Sequence, residues 1–176
     1  AVMTNIGISH IQQLKTQENI LQEKLRITDS FDEDSILFLN GEDPMLAGLR
    51  EKLPHIRKVY FGTEPWCDYR AQEIETTDEG VRFRMTANGV SVYVELPVPG
   101  FHNVLNALAG LSVTHCLGGD VFAAAKALSQ YEPPAMRQQI HKVRGITLID
   151  DSYNASPDAL RSSLQVLRTF PGRKIA

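Results

Sequence analysis

The run Ser35-Ile36-Leu37-Phe38-Leu39-Asn40-Gly41-Glu42-Asp43-Pro44 decides the fold. Residues 35–39 form a short apolar block that stops at a turn, so they read as a buried strand. Asp43-Pro44 then supplies a helix cap and a proline in the first turn. Met45, Leu46, Leu49 and Leu53 follow at helical spacing, and Val59-Tyr60-Phe61 is the next short strand. Strand, helix, strand is the behaviour of a parallel α/β sheet.

Upstream, residues 2–5 are compatible with the end of a buried strand, and Gly7 to His10 with the loop after it. Residues 17–28 read as a helix capped by Thr16, with Ile20, Leu21, Leu25 and Ile27 on one face. Downstream the period changes. Val81, Phe83 and Met85 alternate with Arg82, Arg84 and Thr86; Asn88-Gly89 turns the chain; Val90, Val92, Val94 and Leu96 alternate on the return. That is an antiparallel hairpin with one wet face, with 71–76 as a third strand beside it. Helices are expected over 102–116 and, capped by Asp120, over 121–130, the second stopped by Glu132-Pro133-Pro134. Ile146 to Ile149 reads as a strand running into Asp150-Asp151. Ser156-Pro157-Asp158 starts a helix over 157–170, and Lys174-Ile175-Ala176 begins a further strand. The expected class is α/β, divided into a unit over 1–149 and the start of another over 150–176. Both ends look like strands cut short, so truncation is expected, and exposed sheet edges would let such a piece self-associate.

Composition excludes several classes. The 176 residues are 43% hydrophobic and 22% charged, which suits a globular chain. A net charge of -3 with no basic run disfavours a nucleic-acid partner. No apolar run approaches the ~18 residues of a spanning helix, so membrane insertion is not expected. The opening residues lack the basic and apolar regions of a signal peptide. Two distant cysteines, Cys67 and Cys116, make no disulfide framework, and a reduced, cytoplasmic setting is the expectation.

Several side chains carry chemistry. Asn103 and Asn106 lie one helical turn apart and can face one ligand with both donors and acceptors; capping and surface roles explain them as well. Arg137 offers the fixed fork of donors that suits a phosphate, or a surface ion pair. Asp150 and Asp151 end a predicted strand, where open α/β sheets place ligand groups. Asn154 follows three residues later. Asn40 and Glu42 sit at another strand end, where turn formation accounts for them too. Lys24 by spacing alone is a solvated lysine on an amphipathic helix.

Four stretches together resemble the Mur ligase family, ATP-dependent amide-forming enzymes of bacterial cell-wall synthesis. They are Thr4-Asn5-Ile6-Gly7 with His10 and Lys24; Pro99 to Ala107, containing His102-Asn103 and Asn106; Met136-Arg137; and Asp150 to Pro157. The Tyr153-Asn154-Ala155 form is similar to the branch that adds a dipeptide, whereas sibling branches carry a histidine there. The resemblance spans nearly the whole chain and implies the later part of a central nucleotide-binding domain followed by the start of a Rossmann-like domain.

It implies ATP and magnesium as cofactors, and UDP-N-acetylmuramoyl-tripeptide and D-alanyl-D-alanine as substrates of a monomeric full enzyme. Lys24 would be the lysine that becomes a carbamate, presenting two anionic oxygens to a hard metal, with His10 as the second ligand. Asn5 would belong to the same wall. His102, Asn103 and Asn106 would meet the adenine, Arg137 a phosphate and Asp151 the ribose hydroxyls; Asn154 would lock domain closure, and Asn40 would form a minor part of the nucleotide wall. The chain departs from the family pattern at Arg26 and Gln139, where acids are common, and at Gln12 and Gln13. No Gly-rich phosphate loop is present; the family places it upstream, so the piece is expected to be inactive by itself. A sibling or folylpolyglutamate-type ligase, or a dead domain of the same fold, are the competing readings. Retention of Lys24, His10 and Asp151 weighs against decay.

Overall fold

The computed structural model describes residues 1–8 and 11–176; the expected metal ligand His10 lies outside them. Six strands form one sheet in chain order: β1 (Val2–Met3), β2 (Ile36–Asn40), β3 (Arg57–Gly62), β4 (Tyr69–Thr76), β5 (Val81–Ala87) and β6 (Val90–Leu96). The pairs from β1 to β4 are parallel, and those from β4 to β6 antiparallel. The antiparallel element expected over 70–96 is therefore continuous with the parallel sheet.

Alternation along the strands creates two cores. Phe38, Val59 and Phe61 face α4 (Phe101–Cys116) and α5 (Val121–Leu128), together with Phe83, Met85 and Val94 from the hairpin. Leu37, Leu39 and Tyr60 face the other way, against Ile20, Leu21 and Leu25 of α2 (Gln17–Leu25). Both faces of β2 are covered, which is why its sequence is continuously apolar rather than alternating. In the hairpin, Arg82, Tyr93 and Glu95 remain exposed on the outer face, and Arg82 pairs with Glu95 at 3.1 Å.

Several elements are shorter than the sequence suggests. The helix over 17–28 ends at Leu25 and tightens into a 3-10 turn over Arg26–Ser30. The helix begun at Asp43-Pro44 covers only α3 (Pro44–Ala47); Gly48 follows, and Leu49 and Leu53 pack from irregular turns. The helix expected over 121–130 stops at Leu128. A single turn, α1 (Ile11–Leu14), precedes α2. Residues 174–176, expected to begin a strand, are irregular, and no strand among the described residues pairs with them.

Beyond α5, β7 (Gln139–Val143) and β8 (Ile146–Asp150) form a separate two-stranded ribbon turned by Arg144-Gly145. Helix α6 (Pro157–Thr169) starts as expected, with Ser156 Oγ accepting from the Ala159 amide and Pro157 in the first turn. Its buried contact is Val166; Leu160 and Leu164 are exposed. Val166 packs against Gly100, where φ is +107° and an added Cβ would lie 2.7 Å from both Val166 Cγ2 and His102 Cε1. Only glycine accommodates that backbone and that approach, so the start of α4 can meet α6. None of the described helices is long and apolar enough to cross a membrane.

Candidate functional site

A cleft of about 560 Å³ opens at the carboxyl ends of β1, β2 and β3, within the ~300–1,000 Å³ range of small-molecule sites. This is where open parallel sheets bind ligands. Thr4 and Asn5 follow β1, Asn40 ends β2, and Phe61 lies at the end of β3. The start of α4 contributes His102, Asn103 and Asn106. Arg137, Asp151 and Asn154 close the far wall. All seven residues assigned to a nucleotide from the sequence thus line one cavity, though they come from four separated stretches.

The local chemistry explains how the loops are held. Asn40 Nδ2 donates to Thr4 O at 2.8 Å, and its Oδ1 accepts from the Glu42 amide at 3.0 Å. Glu42 Oε1 accepts from Thr63 N at 2.6 Å and Thr63 Oγ1 at 2.7 Å. Asp43 caps α3 with one oxygen and accepts the Ile6 amide at 2.7 Å with the other. One short acidic turn therefore ties together the loops after three strands. Asn40 spends its side chain on that framework, so its contribution to the wall is structural.

His102 is half-buried, and burial pushes its imidazole below the usual histidine range; the Gln138 amide and the Asp151 carboxylate pull it partly back. The ring is thus mainly neutral at pH 7 and can offer one donor and one acceptor. Asp151 is half-buried and receives a hydrogen bond from Ser163 Oγ of α6. Asp150 turns away from the ligand role and accepts from Ser152. Asn106 is exposed to the cavity. The Arg137 guanidinium lies 3.9 Å over the Tyr153 ring, and Tyr153 N donates to Met136 O at 3.1 Å. These contacts join the 130s segment to the 150s segment. Asn154 Oδ1 accepts from the Ala155 amide and is otherwise exposed.

Lys24 sits on the exposed face of the last turn of α2 and is not in the cavity wall. Its Nζ donates to Asn5 O at 2.9 Å, and Asn5 lines the cavity edge. A carbamate on Lys24 would keep one N–H, so this bond is compatible with the modified side chain. Among the described residues no three His, Cys, Asp or Glu side chains cluster as a metal cage.

Gln138 is a wall residue that no sequence pattern marks. It is buried, 6% exposed, and its Oε1 accepts from Asn103 Nδ2 at 3.1 Å. A glutamine beside an arginine in a turn carries no local pattern that reveals burial. Cys67 and Cys116 are both free, and burial pushes the Cys67 thiol up to about 12.

Residues 1–114 match the family described as Mur ligase middle domain. The chain belongs to the Mur ligase family. A similar curated relative is the UDP-N-acetylmuramoyl-tripeptide--D-alanyl-D-alanine ligase of Bacillus subtilis, 34% identical across 98% of this chain and 36% of that protein. Among solved structures, MurF from Acinetobacter baumannii superposes with a TM-score of 0.90 at 28% identity, over 98% of this chain and 38% of that one. The MurF ligase from Thermotoga maritima in complex with ADP gives 0.84 at 27% identity, over 98% and 40%. The chain thus spans between a third and two fifths of the length of these Mur ligase relatives.

Proposed function

We propose that this chain carries the base, ribose and metal-facing part of an ATP-dependent ligase that joins D-alanyl-D-alanine to UDP-N-acetylmuramoyl-tripeptide in the bacterial cytoplasm. The observation that carries the reading is the single cleft into which His102, Asn103, Asn106, Arg137, Asp151 and Asn154 converge. The sequence match to the Bacillus subtilis ligase and the Tyr153-Asn154-Ala155 stretch support the dipeptide-adding branch. Family ligases use ATP and magnesium.

In this reading ATP phosphorylates the terminal carboxylate of the tripeptide. The amine of D-alanyl-D-alanine attacks the acyl phosphate, and the tetrahedral adduct collapses to amide and phosphate. Asn103 and Asn106 orient the base, and Asp151 accepts from the ribose hydroxyls. Arg137 is held by Tyr153 where its planar fork can meet a phosphate. Lys24, as a carbamate, and His10 would hold magnesium, which offsets charge on the transferred phosphoryl group. With a second unit starting at 150, the loop from Asp151 to Ser156, between β8 and α6, would act as the hinge that brings that unit over the cleft.

The test is substrate-dependent release of ADP and phosphate by the intact protein. Release should require both UDP-N-acetylmuramoyl-tripeptide and D-alanyl-D-alanine. Release driven instead by UDP-N-acetylmuramate and L-alanine would place the chain in a sibling branch.

A further inference from the structure

We propose that Gln138 is the positioning residue of the base pocket: it holds the Asn103 amide so that this side chain presents an acceptor, not a donor, to a bound nucleobase. The proposal rests on reading the cleft as a nucleotide site and adds the residue that sets which purine edge it takes.

The hydrogen-bond inventory around Asn103 is closed on one side. Its Nδ2 donates to Pro99 O at 2.8 Å and to Gln138 Oε1 at 3.1 Å. A carboxamide nitrogen has two hydrogens, and both are spent. The Pro99 main-chain oxygen can only accept, so the nitrogen of Asn103 must face it; the orientation of the amide follows from chemistry. Asn103 Oδ1 receives no hydrogen bond from the described residues and is not among the enclosed, unpartnered polar atoms. Since Asn103 lines the cavity, that oxygen is the atom left for a ligand.

Gln138 is built for this task. The described chain buries only three polar residues, Asn40, Ser112 and Gln138. Asn40 and Ser112 satisfy main-chain carbonyls, Thr4 O and Ala109 O. Gln138 instead spends its buried amide oxygen on a side chain of the cavity wall. Its backbone is in the left-handed region at φ 51°, two residues after Met136 at φ 62°. Non-glycine residues hold that conformation only where surrounding structure enforces it. Here the Tyr153 to Met136 backbone bond anchors the same segment.

The consequence is a choice between purines. An acceptor at Asn103 Oδ1 matches an edge carrying an exocyclic amino group, as in adenine. Hypoxanthine and guanine set a carbonyl oxygen in that place, leaving two acceptors opposed. Removing the Gln138 oxygen releases one Asn103 N–H, which can then serve a carbonyl-bearing base.

The experiment is calorimetric titration of the intact protein with Mg-ADP and Mg-IDP, which differ at the purine 6-position. The protein should favour ADP by about ten- to a hundredfold, the discrimination expected of one well-placed base contact. Gln138→Leu should cut the ADP/IDP ratio by at least about fivefold. Gln138→Glu keeps an acceptor oxygen toward Asn103 and should hold the ratio near that of the unaltered protein, even if both affinities fall. A merely structural Gln138 would lower both affinities together in the Leu variant, and an unchanged ratio overturns the proposal. Equal binding of ADP and IDP by the unaltered protein also overturns it while leaving the nucleotide reading intact. Failure to bind either nucleotide removes the reading on which it rests.

Discussion

In the intact ligase proposed above, replacing Lys24 with alanine is expected to lower amide-forming turnover by about 10²–10³-fold, the cost of losing one preorganised electrostatic group at a phosphoryl-transfer site. The residue is exposed on α2, so its loss should move stability by no more than about 0.5 kcal/mol. Among the described residues its Nζ donates to the Asn5 carbonyl, at the edge of the cleft. A large kinetic effect with a small thermodynamic one would therefore separate a metal-facing role from a structural one. Added short carboxylates should restore part of the turnover, because they replace the anionic oxygens that a carbamate would supply. Turnover within twofold of the parent, written as about 0.4 kcal/mol of barrier, would return Lys24 to an ordinary solvated lysine.

Phe61→Ala is expected to be the most damaging single substitution for stability. Phe61 is fully buried, packs in the core shared by β3 and α4, and is among the residues around the cleft. Truncating a buried phenylalanine costs about 3–5 kcal/mol, from lost burial and the cavity left behind. Thermal unfolding should fall by on the order of 10 °C for a chain of this size. Phe122→Ala is the control: that ring is 59% exposed on α5, and its loss should change stability by about 0.5 kcal/mol or less. Equal effects from the two substitutions would mean that the core has been placed on the wrong face of β3.

The α/β class was legible because β2 and β3 are short, apolar and punctuated by turn residues, and the hairpin because Asn88-Gly89 separates two alternating runs. Local rules also placed the Ser156 and Asp120 caps, both of which bond the expected amides. What failed was element length. The helix after Pro44 lasts four residues, because Leu49 and Leu53 reach the core from turns as readily as from a helix. On α6 Leu160 and Leu164 stay exposed, and Val166 is the buried contact, against Gly100. At the site, motif resemblance found the residues that line the cleft. It did not find Gln138 or the stacking of Arg137 on Tyr153, because both depend on segments brought together by the fold. Nor could it reveal that Asn40, Glu42 and Asp43 act as a clasp between strand-end loops, since each reads locally as a turn residue.

Calorimetry of the protein with Mg-ADP, beside an Asp151→Ala variant of equal thermal stability, decides whether this cleft holds the nucleotide. Asp151 lines the cleft, is half-buried and keeps one carboxylate oxygen on Ser163. The parent should bind ADP saturably, and the variant should lose at least about tenfold in affinity, the scale of a hydrogen bond to a charged group. Binding of equal strength in both proteins would contradict the assignment of this cleft as the nucleotide site.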